Sequence, residues 1–336
     1  FGVRDGLMYI EAAGRYGTGN TYYKAPNPEF GVNITYYIKE VPKTLKDIRK
    51  AKEAELFKEG KPVPIPTDAE LGAEKREVAP YVLVWIEDEA GQTVRKLTKP
   101  AVKGVQRINW DLKFQSVTTL KADKFNANMR TQSSNLVMPG KFSVTMFMVD
   151  RNGVSPLGER VQFNAVALRY TTLPAADRAE LVKFQSDVRE VSRVVRGTYE
   201  YLNDLIKKVN GLKQSALHSP GTGTEMLTRA DRILDTLNVL LLKFERNSNF
   251  PSAEENPPSP VTINVRLTTL LWTHWRSTSG VTKNERVAYD VLTTEFPPLY
   301  EAIKKLAEVD VKNLEAELDS VGGYLTPDKL PDLWMK

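Results

Sequence analysis

Up to about residue 170 the apolar positions recur mostly every second residue, the signature of strands with one buried and one wet face. Val32, Ile34, Tyr36 and Ile38 alternate with Asn33, Thr35, Tyr37 and Lys39. Gln106, Ile108, Trp110 and Leu112 interleave with Val105, Arg107, Asn109 and Asp111, which turns Trp110 inward. Phe142, Val144, Met146 and Met148 form one face of a further strand, and Val161, Phe163 and Ala165 begin a last one. Tyr81 to Ile86 is apolar throughout and predicts a central strand covered on both faces. Asp88-Glu89-Ala90-Gly91 and Asp150-Arg151-Asn152-Gly153 put glycine where a tight turn needs positive φ, and Met138-Pro139-Gly140 is read the same way.

One charged stretch interrupts this pattern. Leu45 to Gly60 favours helix, and Thr67-x-x-Glu70 is the capping box of a second short helix. Lys61-Pro62-Val63-Pro64-Ile65-Pro66 between them is expected to be extended. The polar run from Ser116 to Asn135 predicts a long loop.

After residue 170 the period changes to 3.5, written as 3-4-3-4 steps. Leu181, Phe184, Val188, Val191, Val195, Leu202, Leu205, Val209 and Leu212 form one seam, broken only by Thr198. Leu227, Ala230, Leu234, Leu237, Leu241 and Phe244 form a second, with Thr222-x-x-Glu225 as its expected capping box after a Pro220-Gly221 turn. Asn247 to Pro260 reads as a linker. Ile263, Leu267, Leu270, Leu271 and Trp275 lie on a third helix. Thr282-x-x-Glu285 starts a fourth, carrying Leu292, Phe296, Leu299, Ile303 and Leu306, which Pro297-Pro298 should kink or divide. The pattern predicts a multidomain β + α chain. An antiparallel β-sandwich, residues 1–170 with a helical insertion at about 42–78, precedes an antiparallel four-helix, coiled-coil-like bundle, residues 171–336.

Composition narrows the function classes. A chain of 336 residues with 41% hydrophobic and 26% charged residues can fill two cores and is not of the disordered class. The longest aliphatic cluster, Leu237 to Phe244, falls far short of the about 20 apolar residues that span a bilayer, so no membrane span is predicted. The chain begins at Phe1, which reads as a mature or excised fragment with any signal peptide lying outside it. The absence of cysteine removes disulfides, thiol nucleophiles and thiolate metal sites, and two histidines, His218 and His274, cannot build a multi-His centre. No metal or cofactor is predicted. Up to residue 170 there are 26 Lys and Arg against 19 Asp and Glu; beyond it there are 21 against 23. No dense basic run with interleaved aromatics appears, so nucleic acid is not a predicted partner.

Candidate chemistry is sparse. Gly14, Gly17 and Gly19 are out of order for a dinucleotide fingerprint and read as a surface loop. Asn33-Ile34-Thr35 matches a glycosylation acceptor but sits inside a strand. Glycoside hydrolysis needs two carboxylates facing each other about 5–10 Å apart. Asp111, Glu254 and Glu255 are available, yet no spacing brings a pair together, and Asp111 is better suited to accepting turn amides. His274, between Trp272 and Trp275, reads as a core histidine. Tyr22, Tyr23, Trp272, Trp275 and Trp334 could stack on sugar rings or simply pack. No catalytic residue is assigned.

Asn27-Pro28-x-Phe30-Gly31 leads into Ile34-Thr35-Tyr36-Tyr37-Ile38-Lys39. Ile86-x-Asp88-x-x-Gly91-x-x-Val94-Arg95 is followed by Gly104-x-x-Arg107-x-x-Trp110-Asp111-Leu112 and Met138-Pro139-Gly140-x-Phe142-x-Val144. In this order the motifs resemble the region that follows the sortilin-like, BNR-repeat β-propeller in large secreted bacterial proteins labelled glycosyl hydrolases. The middle part resembles the Ig-like domain of flagellar hook-capping proteins. The likeness continues through Leu173-Pro174-Ala175-Ala176-Asp177-Arg178, Trp275-x-Ser277-Thr278, Leu325-Thr326-Pro327 and Trp334. Glu29, where the family often has proline, and Phe142, where it usually has Tyr, depart from it.

The resemblance implies an Ig-like sandwich and a secreted, periplasmic or cell-surface location. The family's active site would belong to the propeller, and this sequence has no Ser-x-Asp-x-Gly-x-Thr-Trp box, so it inherits no catalytic role. The leading expectation is a non-catalytic structural and interaction module that packs on or braces an upstream β-propeller of the same chain. The alternatives are a carbohydrate-binding accessory module and an enzyme in its own right; a protein partner is also compatible. The propeller or carbohydrate contacts would come from Tyr22, Tyr23, Asn27, Pro28, Phe30, Trp272 and Trp275.

Overall fold

The alternating segments pair with one another because each has one apolar face to bury and a full row of backbone donors and acceptors to satisfy. In a computed structural model that describes residues 1–8, 29–120, 124–129, 131–167, 175–246, 255, 258, 260–275, 278–323 and 330, the strands are β1 (Gly2–Val3), β2 (Gly6–Met8), β3 (Val32–Ile38), β4 (Tyr81–Asp88), β5 (Thr93–Pro100), β6 (Gly104–Trp110), β7 (Lys113–Gln115), β8 (Ser133–Leu136), β9 (Gly140–Asp150), β10 (Gly153–Pro156) and β11 (Val161–Ala167). They form one sheet in the order β1-β3-β6, a second in the order β2-β11-β9-β4-β5 with β10 on β9, and a β7-β8 ribbon. Pairing is antiparallel except between β11 and β2. The chain divides into two compact units, Phe1–Ser116 with Lys121–Pro174, and Val117–Leu120 with Ala175–Lys336.

In the first unit the two larger sheets share one core. Val32, Ile34, Tyr36 and Ile38 are buried, as are Val82, Val84 and Ile86 of β4 and Phe142, Val144, Met146 and Met148 of β9. Trp110 is fully buried, edge-on to Phe142 at 5.3 Å and to Phe163 at 5.9 Å between ring centroids. Its indole Nε1 donates to the Lys113 carbonyl at 2.9 Å, so the ring is packed without orphaning its N–H. Gly31 admits β3 to this core: its φ is +112°, and a Cβ there would lie 2.0 Å from the Trp110 carbonyl oxygen.

Three strand-region expectations change. β4 is central, between β9 and β5, but only one of its faces is buried. On the other, Trp85 is covered by the Lys96 ammonium at 3.8 Å from its ring and donates to Thr93 Oγ1 at 2.8 Å. An amphipathic cover replaces a second apolar layer. Gly140 does not take positive φ; it is the first residue of β9 and pairs with Ala165, as any residue in extended backbone could. The stretch from Ser116 to Asn135 is not all loop, because its end belongs to β8, which pairs with β7. Local polarity hid the strand, whose ladder partner comes from Lys113–Gln115.

The helical unit consists of α3 (Arg178–His218), α4 (Thr224–Phe244), α5 (Ile263–His274), α6 (Lys283–Lys305), a π-helical segment Leu306–Val311 and α7 (Lys312–Ser320); α1 and α2 lie in the insertion of the first unit, over Leu45–Lys58 and Asp68–Arg76. Asp177 caps α3, accepting the Ala179 and Glu180 amides at 2.8 and 3.0 Å. Thr198, the break in the seam, is buried and donates to the Val194 carbonyl at 2.8 Å, which satisfies its hydroxyl inside the helix. The α3 and α4 contacts Lys213–Asp231 and Tyr199–Glu245 run in opposite senses along the two helices, which are therefore antiparallel. Glu180–Arg286 and Lys208–Glu315 rise together, so α3 is parallel to the α6–α7 run.

Two helix-end readings are corrected. Thr222 does not cap α4: Gly223 occupies the N-cap without a side-chain bond, and the Thr222 hydroxyl instead donates to the Ala216 and Ser219 carbonyls at the end of α3. Pro297 and Pro298 do not divide α6, which runs unbroken from Lys283 to Lys305. The two prolines remove the amide bonds to the Thr293 and Thr294 carbonyls. The hydroxyls of those threonines bond back, to Tyr289 at 2.9 Å and Asp290 at 2.7 Å, and Leu292, Phe296 and Ile303 still bury their side chains. The 3.5-residue pattern loses the helix after Leu306 because the π segment widens a turn. Ile303, Ala307 and Val311 follow each other by four, and the 3-4 stepping resumes only at Leu314 and Leu318; all five are buried.

Replacing Trp110 by Ala is expected to cost about 3–5 kcal/mol of stability, through lost burial and the cavity left between the sheets. The exposed Val105→Ala control should stay within about 0.5 kcal/mol. Denaturant titrations followed by circular dichroism would measure both.

Candidate functional site

The insertion is held by hydrogen bonds and charge. Neither α1 nor α2 has a buried residue. Thr44 accepts the Asp47 amide at 3.1 Å while the Asp47 carboxylate accepts the Thr44 amide at 3.2 Å, and Thr67 with Glu70 repeats the arrangement at 3.3 and 2.8 Å. Arg49 joins the helices through a two-pronged contact with Glu74, at 2.6 and 2.9 Å, and reaches Glu53 at 2.6 Å. Hydrogen bonds from the Thr44 side chain, the Thr67 backbone amide and the Arg49 side chain hold Asp47, Glu70 and Glu74, respectively, below the ordinary carboxylate range, and the contacts with Glu74 and Glu53 raise Arg49. After α2, Glu77 turns back and accepts the Leu45 amide at 2.6 Å, closing the insertion at the mouth of β4.

This closure borders a cavity of about 490 Å³. Its walls come from Leu45, Ala73 and Arg76 of the insertion, from Tyr81 and Val149, which pair across β4 and β9, and from Phe125 and Arg151. Two carboxylates also line it, and both are engaged. Glu77 holds the Leu45 amide, and Asp150 accepts the Asn152 amide at 2.7 Å in the β9–β10 turn. Arg76 and Arg151 are exposed and make no ion pair or hydrogen bond with any described residue. An apolar floor with two uncommitted guanidinium groups is suited to a small anionic ligand.

A third arginine serves the fold. Arg95 is buried on β5 and donates to the Phe114 and Gln132 carbonyls at 3.0 and 3.2 Å, tying the β7–β8 ribbon to the sheet. Burial lowers its pKa, and the charge of Asp111 works against that shift. Asp111 also accepts the Lys113 amide at 3.3 Å, a turn role.

The sequence-predicted residues are dispersed. Tyr22, Tyr23, Asn27, Pro28, Trp334 and the Gly14–Gly19 loop lie outside the described residues, as does the His274 side chain. Phe30 is half-buried against the core of the first unit. In the helical unit Trp275 packs against the core with its indole N–H buried and unbonded, and Trp272 is 63% exposed. The cavity residues Arg76, Tyr81, Phe125 and Arg151 were not anticipated. The juxtaposition depends on the long-range register Tyr81↔Val149, for which no local motif exists. Among the described residues no three or more His, Asp or Glu are grouped to hold a metal ion, and no helix is long and apolar enough to cross a membrane.

Arg95→Met is expected to lose about 1–3 kcal/mol, since two carbonyl contacts to a charged donor outweigh the relief of burying it. Amide exchange should rise selectively in Lys113–Gln115 and Ser133–Leu136. Acidification has a defined sign at the insertion. Carboxylates with lowered folded-state pKa stabilise it above the ordinary values of 3.8 for Asp and 4.5 for Glu, and this contribution is lost as pH falls through the lower folded values. Backbone chemical shifts of α1 and α2 should therefore turn coil-like on acidification before those of β4 and β9 change.

No family model matches the chain, and no curated protein matches it. A solved structure titled "pT26-6p" aligns over 73% of this chain and 42% of its own length, with 8% identity and a TM-score of 0.16. The chain thus spans less than half of that protein, and a likeness this slight carries no argument about fold or function.

Proposed function

We propose that this chain is a non-catalytic structural and interaction module from the C-terminal part of a secreted protein of the glycosyl hydrolase-labelled, sortilin-like BNR-repeat type. In this reading its first unit is an Ig-like sandwich that packs on or braces an upstream β-propeller. The helical unit is an antiparallel bundle in which α4 and α5, both running against α3 and α6, fill successive stretches of one column. The opposed α4 contacts and the pairing of Arg266 with Glu295 at 3.0 Å across a short α5–α6 connection support that arrangement.

The observation that carries the interaction reading is the insertion. It buries none of its own helical residues, yet it presents Phe57 at 79% and Ile65 at 91% exposure. Capping boxes and the Arg49 clamp keep this apolar surface ordered without a core, which is the condition for offering it to a partner. A secreted, periplasmic or cell-surface location belongs to the same proposal.

The carbohydrate-binding alternative rests on the exposed indole of Trp272. Titration with neutral and acidic polysaccharides, read by tryptophan fluorescence and compared with Trp272→Ala, separates it from the leading reading; a signal lost in the variant would favour it.

When the chain is expressed with its natural upstream sequence, amide exchange around Phe57, Ile65 and residues 22–30 is expected to slow, and Phe57→Ser with Ile65→Ser should reverse the effect near the insertion. Unchanged exchange at both places in the longer protein would refute docking.

A further inference from the structure

We propose that the cavity between α2 and the Tyr81–Val149 end of the β4–β9 pair binds a carboxylate carried on a sugar- or benzene-sized ring. This goes beyond the docking reading and stands without it, since every lining residue belongs to the first unit. A volume of about 490 Å³ is within the ordinary range for small-ligand sites and large enough for two linked rings. Tyr81 and Phe125, the latter 72% exposed at the rim, offer aromatic faces to a ring, and Leu45 and Val149 offer apolar contact.

Charge and geometry together select the ligand. Glu77 and Asp150 balance the two arginines in formal charge, and each already accepts a backbone amide, Glu77 that of Leu45 and Asp150 that of Asn152. The guanidinium groups of Arg76 and Arg151 have no such partner among the described residues. Their planar forks match a carboxylate with two parallel bonds. A phosphate would be better served by free backbone amides at a helix start. Here two of the first three amides of α1 are already taken, Leu45 by Glu77 and Asp47 by Thr44.

Calorimetric titration of the full chain tests this, with digalacturonate and 4-hydroxybenzoate as acidic probes, galactobiose and 4-hydroxybenzyl alcohol as their neutral counterparts, and inorganic phosphate as competitor. At least one acidic probe should bind at least about tenfold more tightly than its neutral counterpart, and Arg76→Gln and Arg151→Gln should each weaken it about tenfold. Binding by the uronate alone would mark a glycan as the source of the ring, and binding by the hydroxybenzoate alone an aromatic acid; either supports the site. Both substitutions are at exposed positions, and an unchanged circular dichroism spectrum verifies the fold. Phe125→Ser, also at an exposed position, should weaken the probe with the ring face it lacks. No binding at millimolar probe, equal binding of acidic and neutral forms, displacement by equimolar phosphate, or full affinity in both arginine variants would overturn the proposal.

Discussion

A carboxylate from Glu77 accepting the backbone N–H of Leu45 joins the two ends of an insertion that has no core of its own. Between these ends lie two helices whose own side chains stay outside the apolar interior. Capping boxes satisfy their first amides, and the Arg49–Glu74 contact fixes one helix against the other. Charge pairs at the surface contribute little individually, about 1 kcal/mol or less. Here they are linked, so the order imposed on Arg49 serves contacts on both helices. The cavity exists because this closure holds Leu45 and Arg76 beside the Tyr81–Val149 strand pair.

The rigid support for that arrangement is the core between the sheets. Trp110 is wedged among Phe142 and Phe163, and its polar edge bonds to the Lys113 carbonyl on the next strand. Gly31 permits the close approach that lets β3 lie against Trp110. Apolar burial anchors the sheets, while hydrogen bonds and charges position what the sheets carry. The same division recurs in the helical unit, where Leu202, Val209, Leu237 and Val311 fill the interior and Lys208–Glu315 and Lys213–Asp231 set the relative direction of the helices on the surface.

Packing and exposed surface therefore draw on different residues. The positions that alternate most regularly are committed to packing, whereas the highly exposed apolar side chains of Phe57 and Ile65 belong to the segment that breaks the alternation. Arg95 and Arg76 show how little residue type decides. Arg95 is enclosed and donates from Nη1 to two backbone carbonyls, whereas Arg76, at the end of α2, lines an open cavity with no partner among the described residues. The first keeps a ribbon in place and the second is available to a ligand.

What the sequence determined alone is what depends on near neighbours. Periods of two and of 3.5 residues, the Thr67–Glu70 and Thr282–Glu285 capping boxes and the inward side of Trp110 follow from side chains a few positions apart, because strand and helix geometry fix which of those share a face. Other outcomes required partners distant in the chain. Thr222 bonds to the helix behind it rather than the one ahead, Pro297-Pro298 is carried through by packing on both sides, and β8 becomes a strand because β7 is there to pair with it. The cavity is the extreme case, since Arg76 and Arg151 come to line it only through the Tyr81–Val149 register. Hydrogen bonds and burial between segments far apart in sequence leave no periodic trace, so only the folded chain decided where its uncommitted charges would gather.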